Sequence, residues 1–291
     1  SDGLFVYAAD EPHDDLLGAQ VLSIGGKGER EIIARIGGME PSENEHWRRV
    51  KVSNWCGAGD VYAATGLSKS PDAIPFKFKL ASGQVVDRVV AATTDAPKSY
   101  KRAFTDGNTP AFMKATTYNY RVLTDEASKS VVLDYRRCAA DNDLSMEDAT
   151  KSFWQQFDGG GYEKAVIDLR RNGGGNSAVL WPFLSSLKDR SDLVKKGRVF
   201  AFVSGETFSS GMLNAVQLRK LGVILVGEPT GGSPNSYGEQ KSFVLPESGM
   251  NVMYCTKFFA EDRSSNATSV VPDVRISWTW KDSVQGRDAC M

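Results

Sequence analysis

The strongest constraint on this fold is a set of short apolar runs, Ala165-Val166-Ile167-Asp168-Leu169, Val199-Phe200-Ala201-Phe202-Val203 and Val223-Ile224-Leu225-Val226, alternating with helical patterns. A strand with one wet face alternates apolar and polar residues, whereas an apolar run needs cover on both faces, which the helices of βα units provide. A further strand is expected over 130–135. Residues 146–157 are predicted helical, with Ala149, Phe153 and Phe157 at helical spacing, and 178–187 and 210–221 are predicted as the helices between the apolar runs. This half of the chain therefore belongs to the α/β class.

Upstream the rhythm differs. Residues 3–7 and 18–24 read as strands, and Gly25-Gly26-Lys27-Gly28 as a turn. Over 31–36, Ile32, Ile33 and Ile36 share one helical face; Asn44, Trp47 and Val50 suggest a second short helix, followed by a glycine-rich connection through Gly57 and Gly59. Phe76-Lys77-Phe78-Lys79-Leu80 alternates with period two, and Ser82-Gly83 starts a hairpin turn. Residues 91–110 are polar, contain two prolines and read as a connection. Two domains are expected: a small β-rich module over 1–92 and the α/β core over 93–291.

Composition removes several classes of function. With 291 residues and 41% hydrophobic content the chain can bury a sizeable core, and its 35 basic against 36 acidic side chains lack the excess of a nucleic-acid binder. No apolar run approaches the roughly 18–20 residues of a membrane span, so no membrane-embedded segment and no nucleic-acid partner are expected. Cys56, Cys138, Cys255 and Cys290 are far apart and show no CxxC pairing, so no metal site or cofactor is expected. Four cysteines are compatible with disulfides in an exported protein, but a domain of this size holds together without them, so free buried thiols are equally expected. Asn266-Ala-Thr268 matches a glycosylation acceptor, and a start at Ser1 implies either a processed precursor or a trimmed chain.

Catalytic groups in such sheets collect at the carboxyl ends of strands. After the first apolar run comes Arg170-Arg171-Asn172-Gly173-Gly174-Gly175-Asn176-Ser177, either a plain flexible turn or a cradle of N–H groups for a phosphate or oxyanion. It contains neither GxxxxGK[ST] nor GxGxxG. After the second comes Ser204-Gly205-Glu206-Thr207-Phe208-Ser209-Ser210-Gly211-Met212, where a serine opens a helix either as an N-cap or as a nucleophile. Both ends belong to neighbouring βα units, so the glycine loop and Ser209 can converge on one crevice.

Four ordered segments resemble one family. Val166-Ile167-Asp168-Leu169-Arg170-Arg171-Asn172-Gly173-Gly174-Gly175 resembles the "DLR-x-N-x-GG" element of tail-specific (C-terminal processing) serine peptidases, relatives of the tricorn core protease. Thr207-Phe208-Ser209-Ser210-Gly211 resembles their nucleophile turn, Val226-Gly227-Glu228-Pro229-Thr230-Gly231-Gly232 their "VGEPT-x-G" element, and Val271-Pro272-Asp273-Val274 their late "PD" element. The first module is similar to the family's PDZ-like domain, with Gly3, Leu4 and Phe5 at the peptide-carboxylate loop. The resemblance implies a crotonase-like (ClpP/crotonase-type) peptidase core behind an N-terminal PDZ-like module, and an exported protein. It makes Ser209 the nucleophile and the N–H groups of Gly174 and Ser210 the oxyanion hole. Its substrate would be a polypeptide with a free C-terminus, cut through an acyl-enzyme.

One departure leaves the general base open. Where many members carry a catalytic lysine, this chain has Ser233-Pro234-Asn235-Ser236-Tyr237. The two histidines, His13 and His46, both lie in the first module. Lys257, flanked by Tyr254, Phe258 and Phe259, is the tentative base, because aromatic neighbours could desolvate it and lower its pKa; a lysine snorkelling from a strand edge is the plainer reading. Glu239 is the alternative, with Tyr237 close by, and Tyr135, Arg136 and Cys138 sit at another strand end with a structural role expected for each. Two other functions stay open: a non-catalytic ligand- or peptide-binding member of the same fold, and an acyl-CoA enzyme whose glycine loop would stabilise an enolate. Oligomeric state cannot be read from the sequence.

Overall fold

The structure, a computed structural model, describes residues 2–93, 99–104 and 109–291. The connection expected over 91–110 lies partly outside the described residues. The chain divides into two compact units, one of Ser1–Ala115 with Ile276–Met291 and one of Thr116–Arg275. The expected boundary at 92/93 thus falls inside the first unit, and the last sixteen residues return to it. Their apolar anchors, Trp278 and Trp280, pack on Phe112, Phe5 and Phe104 of that unit, a long-range pairing that local patterning does not encode.

The first unit runs β1 (Ala8–Ala9), β2 (Gln20–Ile24), α1 (Glu29–Ile36), α2 (Glu45–Trp55), α3 (Gly59–Ala64), β3 (Ile74–Lys79), β4 (Val85–Val90) and β5 (Lys101–Arg102). β2, β3 and β4 form an antiparallel sheet, with the expected hairpin between β3 and β4. Ile32 and Ile36 of α1 and Val52 of α2 are buried with Ile24, Leu67 and Ile74, as the isoleucine periodicity requires. Asn44 caps α2 by accepting from the Trp47 N–H at 2.9 Å. The glycine-rich connection is partly a helix: α3 buries Val61 and Tyr62, and its start at Ala58, with no side-chain cap, left no local signal. The strand expected over 3–7 reduces to a bridge between Phe5 and Gln20, because the chain beyond Tyr7 leaves β2 to pair β1 with β5.

The second unit contains β6 (Tyr120–Asp125), β7 (Ser130–Tyr135), α4 (Met146–Gly159), β8 (Lys164–Asp168), α5 (Trp181–Asp189), α6 (Ser191–Lys195), β9 (Val199–Val203), α7 (Ser210–Lys220), β10 (Ile224–Gly227), β11 (Asn235–Val244), β12 (Asn251–Ala260) and β13 (Val274–Arg275). Its main sheet has the order β13-β10-β9-β8-β7-β6; all neighbours are parallel except the β6–β7 hairpin. Ala149, Phe153 and Phe157 of α4 are buried with Phe183 of α5, Leu218 of α7 and the sheet residues Leu133, Ile167 and Ala201. This is the cover on the sheet that the apolar strands demanded. The parallel order puts the carboxyl ends of β7, β8, β9 and β10 on one edge, so the loops after them are neighbours. β11 and β12 form a separate two-stranded ribbon.

Candidate active site

The loop after β8 starts from a buried clamp. Asp168 is held by Arg170 through Nε at 3.0 Å and Nη2 at 2.6 Å, and accepts the Arg170 backbone N–H at 3.0 Å. Both side chains are buried, and the guanidinium lies over the Phe202 ring. On the next strand Asp134, in register with Asp168, is paired with Arg136 Nε at 2.5 Å and accepts from the Tyr118 hydroxyl at 2.7 Å. Burial pushes the Asp134 carboxyl above its ordinary value, against the opposing pull of Arg136 and Tyr118. Burial and the Asp134 carboxylate push Tyr118 up to about 12. These buried pairs fix the strand ends from which the site loops spring.

Asn172 ties two of those loops together. It is fully buried; its carbonyl accepts the Phe208 N–H at 3.0 Å, its Nδ2 donates to the Tyr135 carbonyl at 2.9 Å, and its Oδ1 accepts the Gly174 N–H at 3.0 Å and the Cys138 thiol at 3.2 Å. Ser210 Oγ donates to the Gly175 carbonyl at 2.6 Å and Thr207 Oγ1 to the Leu169 carbonyl at 2.8 Å. Gly211 packs directly on Asn172, where a Cβ would lie 2.6 Å from the Asn172 carbonyl oxygen. The loop after β10 closes on the same point: the Gly232 N–H donates to the Thr207 carbonyl at 3.1 Å, and a Cβ on Gly232 would meet the Ser209 nitrogen at 3.0 Å.

Ser209 stands where these loops meet. It is exposed, precedes α7, and has φ +48° and ψ −125°, a conformation that a residue with a Cβ adopts only at a cost of about 1–3 kcal/mol. The N-cap alternative fails on geometry, because the Ser209 side chain makes no capping hydrogen bond. Among the described residues neither Ser209 Oγ nor the Ser210 N–H has a hydrogen-bond partner. A sharp turn that holds a hydroxyl outward at the positive end of a helix, beside an unused N–H, can support nucleophilic attack and hold the oxyanion that follows.

The other expected residues fare differently. Gly174 is brought against Ser209, as expected, but its N–H is already donated to Asn172 Oδ1, so the Ser210 N–H is the one open donor of the expected pair. Lys257 lacks the environment its assignment required. Its side chain is 54% exposed and lies 3.5 Å from Glu239, because β12 belongs to a separate two-stranded ribbon whose residues are mostly exposed. Glu239 and Tyr237 are exposed on the same ribbon. Cys138 is buried beneath the glycine loop, where burial pushes its thiol up to about 11. Leu4 is engaged by β2, its carbonyl accepting the Val21 N–H at 2.8 Å, and the Phe5 ring stacks on Trp280 at 4.8 Å. Gly3 has φ +152° and abuts the Gln20 side chain. All four cysteines are free, and among the described residues no cluster could hold a metal ion. Among the described residues no helix is long and apolar enough to cross a membrane.

No protein-family model and no curated protein matches the chain. Solved structures do. Mature CPAF superposes with a TM-score of 0.53 at 12% identity, covering 92% of this chain and 74% of that one. A protease from Bacteroides fragilis matches at TM-score 0.39 and 16% identity over 71% of this chain, which spans 60% of that protein. The photosystem II D1 C-terminal processing protease matches at TM-score 0.33 and 13% identity, covering 94% of this chain and 68% of that one. The likeness to CPAF is one of fold, and the two looser superpositions add nothing to it. The fold is thus a mixed α/β arrangement with a parallel-strand sheet, similar to that of mature CPAF.

Proposed function

We propose that this chain is a serine peptidase that cleaves polypeptides through an acyl-enzyme on Ser209. The observation that carries the reading is the backbone of Ser209: a strained, exposed serine at a helix start, held by three loops, beside an unpaired N–H. Such strain persists only where the surroundings impose it, and it concentrates at functional sites. In this reading Ser209 Oγ attacks the scissile carbonyl carbon, the Ser210 N–H stabilises the tetrahedral oxyanion, the amine leaves with a proton, and water then hydrolyses the ester. Gly174 lines the oxyanion side; its N–H would join the Ser210 N–H by sharing itself between the substrate oxygen and Asn172 Oδ1. Lys257 and Glu239, the candidates for the proton acceptor, are exposed on the ribbon and lie 3.5 Å from each other.

The finer reading is a C-terminal processing peptidase with a crotonase-like core, related to the tricorn core protease, behind a PDZ-like module over 1–92. The sequence elements around Asp168, Ser209, Glu228 and Asp273 support the core assignment. Gly3, Leu4 and Phe5, beside β2, would receive an extended peptide with a free C-terminus by strand addition. One observation favours a second reading, a binding module: Ser209 Oγ has no hydrogen-bonded base among the described residues.

A fluorophosphonate probe separates the two. Labelling of the wild-type protein at Ser209, lost in a folded Ser209→Ala variant, is the expected result. Complete inertness toward probes of several sizes would favour the binding module, and would also suit an acyl-CoA enzyme. A peptide with a free C-terminus should bind more tightly than its amidated form; equal binding would remove the carboxylate loop and leave the peptidase core standing.

A further inference from the structure

Four arginines follow the carboxyl ends of β7 and β8: Arg136, Arg137, Arg170 and Arg171. Three of them are paired, Arg136 with Asp134, Arg170 with Asp168, and Arg171 with Glu206 at 3.4 Å. Arg137 is exposed, and among the described residues its side chain has no hydrogen-bond or ion-pair partner. The acids on either side of it in sequence are engaged elsewhere. Asp134 holds Arg136, and Asp141 accepts the Asn119 and Asp143 N–H groups at 2.7 and 3.2 Å.

The residue after Arg137 fixes its place. Cys138 donates its N–H to the Gly174 carbonyl at 3.0 Å and accepts the Asn176 N–H at 2.6 Å, forming a parallel bridge to Gly175. Its thiol is buried against Asn172, which leaves Arg137 at the rim, one strand spacing of about 4.8 Å from the glycine loop. Gly174 of that loop is in turn packed on the Ser209 turn. A guanidinium is charged at every working pH, and its rigid fork of donors matches a carboxylate.

We propose that Arg137 is a specificity-determining residue of this site, pairing with a carboxylate of the polypeptide beside the bond that Ser209 attacks. The proposal rests on the peptidase reading of Ser209. An Asp or Glu side chain supplies that carboxylate, as does a chain terminus close to the scissile bond; the chemistry is the same. A neutral residue loses the pair, and a lysine or arginine there would meet a like charge. Glu206, on the loop after β9, is held by Arg171 and does not compete for the guanidinium.

Cleavage of a defined mixture of synthetic peptides, each made with a free and an amidated C-terminus and read by mass spectrometry at neutral pH, tests it. The wild-type protein should favour bonds with Asp or Glu close by over the matching Asn or Gln peptides, by about tenfold. Where the terminus is the source, it should favour bonds near a free C-terminus over the same bonds in amidated peptides. Arg137→Gln should abolish the preference and Arg137→Lys should keep a weaker one. Arg137→Glu should turn it toward lysine and arginine at the same positions, a reversal that mere loss of structure does not produce. Indifference of the wild type to both kinds of carboxylate, or a preference that survives Arg137→Glu, would overturn the role of Arg137 and leave Ser209 untouched. No cleavage of any peptide, together with no fluorophosphonate labelling, would remove the peptidase reading and this role with it.

Discussion

Gly174 and Ser209 are in contact across two loops: a Cβ on Gly174, whose φ is +109°, would stand 2.8 Å from the Ser209 Cβ and 3.1 Å from the Ser210 nitrogen. No L side chain fits there without moving the Ser209 turn. Gly174→Ala should therefore lose both stability, by about 1–3 kcal/mol, and probe labelling at Ser209. Denaturant melts and labelling rates measure the two. Full labelling by a destabilised Gly174→Ala would show that the glycine serves packing alone.

Ser209 itself should show a conflict between function and stability. Glycine adopts its φ of +48° without steric cost, although it enlarges the unfolded ensemble by about 0.4–1 kcal/mol. Ser209→Gly should be more stable than Ser209→Ala, by about 1 kcal/mol, while neither labels. If alanine proves the more stable of the two, the backbone strain at this turn is absent.

The Asp168–Arg170 clamp is buried on both sides. Breaking it from one side leaves an uncompensated charge, so Asp168→Asn should cost about 3–5 kcal/mol and loosen the loop that carries Asn172 and Gly174. A double replacement, Asp168→Leu with Arg170→Met, should cost less than the single change. Urea denaturation of the three proteins decides; a single variant as stable as wild type would remove the clamp from the account.

Cys138 ties stability to alkaline pH. Burial raises its thiol from about 9 to about 11, so the native state favours the protonated form more than the unfolded state does. The stabilising contribution is then complete below pH 9 and lost as pH rises toward 11, by about 2–3 kcal/mol. Cys138→Ser, which keeps a donor for Asn172 but does not titrate there, should flatten that part of the stability profile. In native protein near neutral pH an alkylating reagent should modify exposed Cys255 and spare buried Cys138. Equal modification of both would contradict the burial.

Much of the second unit was legible because its elements are set locally. The apolar runs at 165–169, 199–203 and 223–226 could only be covered strands, and the spacing of Ala149, Phe153 and Phe157 fixed the buried side of α4. β6 and the ribbon were missed: β6 pairs as a hairpin with β7, and the ribbon strands present mixed apolar and polar residues to solvent. The register of aromatic residues on one face appears only once β11 and β12 are paired.

For the site, the linear sequence determined that Ser209 opens a helix after a buried strand and that a glycine loop follows the neighbouring strand. Both facts rest on residue type and short-range periodicity. Whether that serine was a cap or an exposed hydroxyl was decided by tertiary structure, because the φ of +48° is imposed by Gly174, Gly211 and Gly232, each packed against the turn or against Asn172 beneath it. Tertiary structure likewise assigned the Gly174 N–H to Asn172 and left Lys257 in water beside Glu239. Flanking aromatic residues desolvate a lysine only if the strand that carries them is buried, and burial is a property of the assembled chain.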